Sequence, residues 1–261
     1  MTGPQRIAQA FATSGKRAAL MPYVMGGFPD RDGALAVGHA YAAAGADLVE
    51  VGVPFSDPLA DGPVIHAAGT RALRAGTTLD DVLGLAGQLA DALPTVLMCY
   101  SNPVLARGPQ AFADALAAAG VSGLIVPDLP LEEAPPLLEA CDGAGVALVP
   151  LVAPTTPPDR LAAIGPRARG FLYAVSVTGT TGERNHLDQD LEAMLERTRA
   201  HASVPVAVGF GIGTPQQAAA VADAGADGVI VASRLIRAAQ EASDPAGAVG
   251  EIVAAMAEAL R

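Results

Sequence analysis

The chain has 261 residues and a mass of 26.1 kDa, too many for a minimal disulfide scaffold and suited to one large α/β barrel or two small domains. With 51% hydrophobic and 16% charged residues it can bury a large core and does not read as disordered. A net charge of −11, no Trp and 4% aromatics argue against a nucleic-acid surface, whereas backbone N–H groups can still hold a small phosphate.

An N-terminal helix is predicted over Gln5–Thr13, packed on the outside of the fold. Lys16 and Arg17 then precede a short apolar run that Pro22 and Gly26 interrupt, so no signal-peptide core is expected. The first strand begins near Leu20 and the second near Leu48, with a helix over Gly33–Ala44 between them. A long loop is expected from Pro54 to Thr78. Further strands begin near Thr95, Gly123, Ala147, Gly170, Pro205 and Gly228. They alternate with helices over Leu79–Leu93, Gln110–Ala119, Leu131–Ala144, Asp159–Ile164, Leu187–Ala200, Pro215–Ala224 and Arg234–Ala242. A second long loop is expected from Thr178 to His186, and a last outer helix over Ala246–Leu260. The uncharged stretch Ala202–Ala222 holds Pro205, Gly209, Gly211, Gly213 and Pro215, which makes it a strand, loop and helix and not a membrane span.

A repeated unit supports this order. Ala44-Gly45-Ala46-Asp47, Ala119-Gly120-Val121-Ser122, Ala144-Gly145-Val146 and Ala224-Gly225-Ala226-Asp227 each separate an Ala-rich helix from a short apolar strand. Glycine suits the left-handed position that ends a helix, and near-continuous apolar strands suit a parallel sheet covered on both faces. About eight such units are what a closed TIM (β/α)8 barrel needs. The rival is an open doubly wound sheet, but no G-x-G-x-x-G turn comes after the first strand. No linker-like segment divides the chain, so one domain over residues 1–261 is the simplest reading.

Candidate chemistry starts at Glu50. In Leu48-Val49-Glu50-Val51-Gly52-Val53, alternation places Leu48, Glu50 and Gly52 on one face and the three Val residues on the other. The Val face packs on helices, so Glu50 points into the barrel. It is then either a burial-tuned general acid/base or a hydrogen-bonded core carboxylate. Asp57 and Asp61 lie next in a segment dense in Pro, Gly and Ser, where ordinary turn chemistry is the simpler reading of both. Pairing with a strand-borne Glu raises Asp61, because two carboxylates in different environments can divide acid and base roles.

Tyr100 and Asn102 near the third strand, Asp128 after the fourth and Tyr173 in the sixth are candidates for the mouth. Most tyrosines in such strands are simply core or rim residues, which is the simpler reading of both, and Asn102 and Asp128 are comparable rim candidates. Three small-residue turns, Gly179-Thr180-Thr181-Gly182, Gly209-Phe210-Gly211-Ile212-Gly213 and Ala232-Ser233, end the last three strands. In barrels the loops after strands seven and eight commonly cradle phosphate.

Exclusions narrow the chemistry. Lys16, the sole lysine, precedes the first strand, so a Schiff-base aldolase or pyridoxal enzyme is not expected. His39, His66, His186 and His201 are scattered without metal-ligand spacing. Cys99 and Cys141 form no C-x-x-C and read as buried small residues in a reducing cytosol. Carboxylate acid/base chemistry on a phosphorylated small molecule remains.

The run from Leu48 to Ile65, with its strand Glu and loop Asp, closely resembles the α subunits of tryptophan synthase. Supporting matches are Pro127-Asp128-Leu129-Pro130, the segment from Tyr173 to Gly182, and Gly209-Phe210-Gly211-Ile212. The resemblance runs over nearly the whole chain. It implies a TIM barrel that cleaves indole-3-glycerol phosphate to indole and glyceraldehyde 3-phosphate. Glu50 would then protonate indole C3 and take the glycerol hydroxyl proton, Asp61 would hold the indole N–H, and Tyr173 would assist near the glycerol. Phe210 and Tyr100 would flank the indole. Backbone groups at Gly182, Gly211 and Ser233 would hold the phosphate, with Thr181 among the substrate contacts.

The resemblance further implies closure of the loops Pro54–Thr78 and Thr178–His186 over the substrate. It implies a cytoplasmic α2β2 complex with a β subunit that uses pyridoxal phosphate, while this chain itself needs no cofactor or metal. The implied partner surface is the barrel mouth: Pro54–Thr78, the region of Asp128, and Asn102–Pro109. One departure is Ala232, where a glycine is expected before Ser233.

Overall fold

Two of the Ala-Gly-Ala-Asp repeats show how the units are assembled. Gly45 and Gly225 close their helices at φ of 93° and 98°, left-handed values that a side chain disfavours. Two residues on, Asp47 accepts a hydrogen bond from the Leu20 N–H (2.7 Å), and Asp227 accepts one from Val206 N–H (2.8 Å). Each repeat thus ends a helix and pins the start of a strand. The Asp47 carboxylate also takes the Lys16 ammonium at 2.8 Å, which ties the sole lysine to the strand N-termini, away from the mouth.

The structure is a computed structural model. It describes residues 1–175, 184–209 and 211–261, with the backbone alone for 184–190. The helices are α1 (Gly3–Thr13), α2 (Arg31–Ala43), α3 (Pro63–Arg74), α4 (Leu79–Ala90), α5 (Ser101–Arg107), α6 (Pro109–Ala118), α7 (Pro135–Ala144), α8 (Pro158–Ile164), α9 (Arg184–Arg199), α10 (Pro215–Asp223), α11 (Ser233–Glu241) and α12 (Pro245–Ala259). The strands are β1 (Ala19–Met25), β2 (Val49–Gly52), β3 (Thr95–Met98), β4 (Gly123–Ile125), β5 (Ala147–Val149), β6 (Leu151–Val152), β7 (Leu172–Val175), β8 (Val206–Gly209) and β9 (Gly228–Val231).

The strand pairings among the described residues are all parallel, in the order β5-β4-β3-β2-β1-β9-β8-β7-β6. The two ends of that order, β5 and β6, are one strand path divided at Pro150. Proline brings no N–H to the ladder, while its carbonyl still accepts from Tyr173 N–H at 3.0 Å. The eight predicted strands therefore appear as nine segments of a TIM barrel.

Its core has two layers. Inside the barrel lie Leu48, Val96, Ile125, Val149, Phe171, Tyr173, Ala207 and Ile230. Between barrel and helices lie Val49, Val51 and Val53 with Val37, Leu89, Val229 and Val253. No helix among the described residues is long and apolar enough to cross a membrane.

Two expectations change, and one element is new. Helix α1 does not pack outside: Ile7 is fully buried in the inner layer, and Arg6 donates to the carbonyls of Gly120 and Ala90. An apolar residue that reaches the lumen from the strand N-termini closes that end of the barrel. The expected loop from Pro54 to Thr78 contains α3, whose buried Ile65, Ala68, Gly69 and Ala72 have helical spacing. A helix not expected from the sequence is α5, which occupies most of Asn102–Pro109; it has seven residues with only Val104 buried, too few for a periodic signal.

Candidate active site

Glu50 stands where alternation puts it. Its β2 neighbours Val49 and Val51 belong to the outer layer and Leu48 to the inner one, and Glu50 is 1% exposed. Its Oε2 has no hydrogen-bond partner among the described residues. A carboxylate without compensating donors is costly in such a place. Burial, and then the negative charge of Asp61, pushes its pKa up from 4.5 to about 8. At neutral pH the side chain holds its proton.

Two tyrosines share the lumen. Tyr173 on β7 is expected from the sequence; Tyr23 on β1 is not. Tyr23 has the parity of Ala19 and Met21 and pairs in register with Glu50, so alternation along the first strand could have revealed it. Both rings lie over glycines of the next strand. A Cβ on Gly52 would overlap the Tyr23 hydroxyl, and one on Gly209 would overlap that of Tyr173. Burial raises both hydroxyl pKa values well above the usual range, with Asp61 and then Glu50 adding to Tyr23, and Glu50 to Tyr173. Gly52→Ala is expected to displace the Tyr23 ring and destabilise the barrel by about 1–3 kcal/mol, read from a denaturant melt.

Asp61 comes from the loop after β2. The Tyr100 hydroxyl donates to its Oδ1 at 2.9 Å, and the Ala60 N–H donates to that hydroxyl at 3.0 Å. The Phe55 ring stacks on Tyr100 with centroids 5.1 Å apart. Burial raises the Asp61 pKa, while the Tyr100 hydrogen bond and His66 on α3 oppose it. Asp57 instead fits the turn reading: it is exposed and takes the Ser56 hydroxyl at 2.6 Å. Asp128 accepts from the backbone N–H of Ser101 (2.8 Å) and its hydroxyl (2.7 Å), fixing the start of α5. Asn102 is exposed on α5.

At the other side of the mouth, Gly211 has a φ of 75° in the turn between β8 and α10. Exposed Ser233 begins α11. A Cβ on Gly213 would lie 3.9 Å from that of Arg234, so this turn and the α11 N-terminus adjoin. Ala232 adopts φ −122°, which requires no glycine, so the departure there imposes no left-handed strain. Thr181, Gly182, Phe210 and most of the expected loop Thr178–His186 lie outside the described residues.

The described residues contain no cluster of three or more His, Cys, Asp or Glu able to hold a metal ion. Cys99 and Cys141 are buried free thiols, both pushed up to about 12, chiefly by burial.

A parallel barrel that buries one carboxyl in its lumen, near enough to a second carboxyl on a loop for their charges to interact, brings two carboxyls of different environment together at the face where TIM-barrel enzymes work. The family model for the tryptophan synthase alpha chain matches residues 10–260. The alpha chain of Synechococcus elongatus is 50% identical over 239 residues, 90% of each chain, and that of Rippkaea orientalis 44% over 250 residues, 94% of each. A chain of Mycobacterium tuberculosis tryptophan synthase superposes with a TM-score of 0.90 at 39% identity, covering 98% of both chains. The alpha subunit from Legionella pneumophila gives 0.90 at 36%, covering 100% of this chain and 98% of its own. The chain belongs to the tryptophan synthase alpha chain family. It is accordingly a lyase of tryptophan biosynthesis that cleaves indole-3-glycerol phosphate.

Proposed function

We propose that Glu50 is the acid and base of this cleavage and Asp61 the anion that steadies the indole. The Glu50 proton goes to indole C3. This interrupts the ring's aromaticity and leaves positive charge at N1, which the Asp61 carboxylate offsets while accepting the N1–H. The resulting Glu50 carboxylate takes the proton of the adjacent glycerol hydroxyl. A carbonyl forms there, the bond from C3 to the glycerol carbon breaks, and its electron pair restores indole beside glyceraldehyde 3-phosphate.

Protonation at C3 makes the ring its own electron sink, so the reaction needs neither a lysine imine nor a metal, and this chain is proposed to work without a cofactor. Tyr173 serves the glycerol end, and the turn at Gly211 with Ser233 at the α11 N-terminus receives the phosphate. Thr181, Gly182 and Phe210 complete the site in this reading. The observation that carries it is the buried, proton-holding Glu50, whose pKa Asp61 helps to raise. The test is indole release from indole-3-glycerol phosphate by the purified chain, with Glu50→Gln and Asp61→Asn beside it.

The chain acts, in this reading, as one domain over residues 1–261 and in the cytoplasm, joined to a β subunit in an α2β2 complex. The face of the mouth supports such a partner. Leu59, on the loop after β2, is 92% exposed and Leu105, on α5, is 64% exposed. Two large apolar side chains left in water on one end of the barrel suit a protein contact. Leu59→Glu with Leu105→Glu is expected to weaken β-subunit binding at least tenfold by calorimetry, the cost of burying about one charge imperfectly. The partner-free rate should change little.

A further inference from the structure

We propose that the Tyr100 hydroxyl is a positioning group for Asp61, holding that carboxylate over the mouth of the barrel, and not only one wall of the indole pocket. The proposal rests on the role given to Asp61 above and adds the residue that places it.

Three contacts converge on Tyr100, and a fourth interaction holds its chain neighbour. Its hydroxyl donates to Asp61 Oδ1 at 2.9 Å and accepts from the Ala60 N–H at 3.0 Å, so one oxygen grips two successive residues of the loop. Its ring stacks on Phe55, where the same loop leaves β2. Its chain neighbour Ser101 is held through backbone and hydroxyl by Asp128, in the loop after β4. A hydroxyl that accepts one hydrogen bond donates the next more strongly, and a donor aimed at a carboxylate favours its ionised form.

The neighbours of Asp61 make that donor matter. Burial raises the carboxyl's pKa; Tyr100 and His66 lower it. Glu50 and Tyr23 also face it, since its charge raises the pKa of each. Asp128 bears on Tyr100. Without the hydroxyl, His66 is left to oppose burial, and Asp61 takes up its proton at a higher pH.

The test is the pH profile of kcat/KM for Tyr100→Phe, which keeps the ring, its stacking and its hydrophobic wall. The acid limb is expected to move up by about one pH unit, with a loss that approaches roughly tenfold at pH values below the limb and narrows as pH rises. The fall should lie in kcat more than in KM. A wall of the indole pocket alone would leave the limb and kcat in place, and that result overturns the proposal. Asp61→Asn assayed in parallel separates the failures. An inactive Asp61→Asn beside an unmoved Tyr100→Phe profile rejects the positioning role alone. Near-wild-type turnover of Asp61→Asn rejects the catalytic role of Asp61 and the proposal with it.

Discussion

Glu50→Gln is expected to release indole about 10²- to 10⁴-fold more slowly than the native chain, the range spanned by loss of a positioned acid/base. Glutamine keeps the shape and removes the proton that C3 requires. The same variant should gain stability at alkaline pH. The Glu50 pKa rises from 4.5 to about 8 on folding. Between those values the folded chain holds a proton that the unfolded chain has released, so native stability falls as pH rises through that window. The full penalty, on the order of a few kcal/mol, is present above pH 8. Denaturation midpoints at pH 5.5 and 8.5 should therefore drop steeply in the native chain and less in Glu50→Gln. A variant that is inactive and more robust at high pH identifies a group kept for chemistry; one that is inactive because it unfolds does not.

Asp61→Asn is the second large effect. The amide oxygen can still accept from Tyr100, so the loop stays docked, but the charge opposite the developing indole cation is gone. A fall of about 10²- to 10³-fold in kcat is expected, the size seen when one preorganised electrostatic partner is removed. Stability should shift by less than about 1 kcal/mol, as for other substitutions that spare the packing. A linked effect fixes the geometry. Because the Asp61 charge helps raise the Glu50 pKa, its removal should move the basic limb of the residual activity to lower pH. An unchanged basic limb would mean that the two carboxyls do not sense each other.

How much of this could be read from the sequence differed between the two carboxyls. Glu50 emerged from alternation, because three valines on one face leave only the lumen for the other. Asp61 did not. Asp57 and Asp61 share the same turn-like surroundings, and only the pairing argument with Glu50 and the resemblance to α subunits favour Asp61. What distinguishes them physically is Tyr100, 39 residues away in sequence from Asp61, and no local pattern encodes a loop folding back that far. Tyr100 is expected at the mouth with its hydroxyl near the ligand, and the resemblance adds a ring flanking the indole, but residue type does not reveal that the hydroxyl meets Asp61.

The elements differ in the same way. The repeated Ala-Gly units marked the helix ends before the strands, yet α3 was hidden because its Pro- and Gly-rich approach reads as loop. Its spacing of Ile65, Ala68 and Ala72 carried the signal. Helix α1 was legible as a helix, but its place across the strand N-termini depends on Ile7 finding the lumen, a tertiary fact. At Ala232 the sequence shows the departure from glycine, and the backbone shows that no left-handed φ is needed there.

The central claim is that Glu50 waits in the lumen with its proton on. A carbon-13 NMR titration of the glutamate side-chain carboxyls, with the Glu50 signal assigned by its absence from Glu50→Gln, measures this directly. The account predicts a midpoint near 8. A Glu50 carboxyl that titrates near 4.5, the ordinary value, would contradict it.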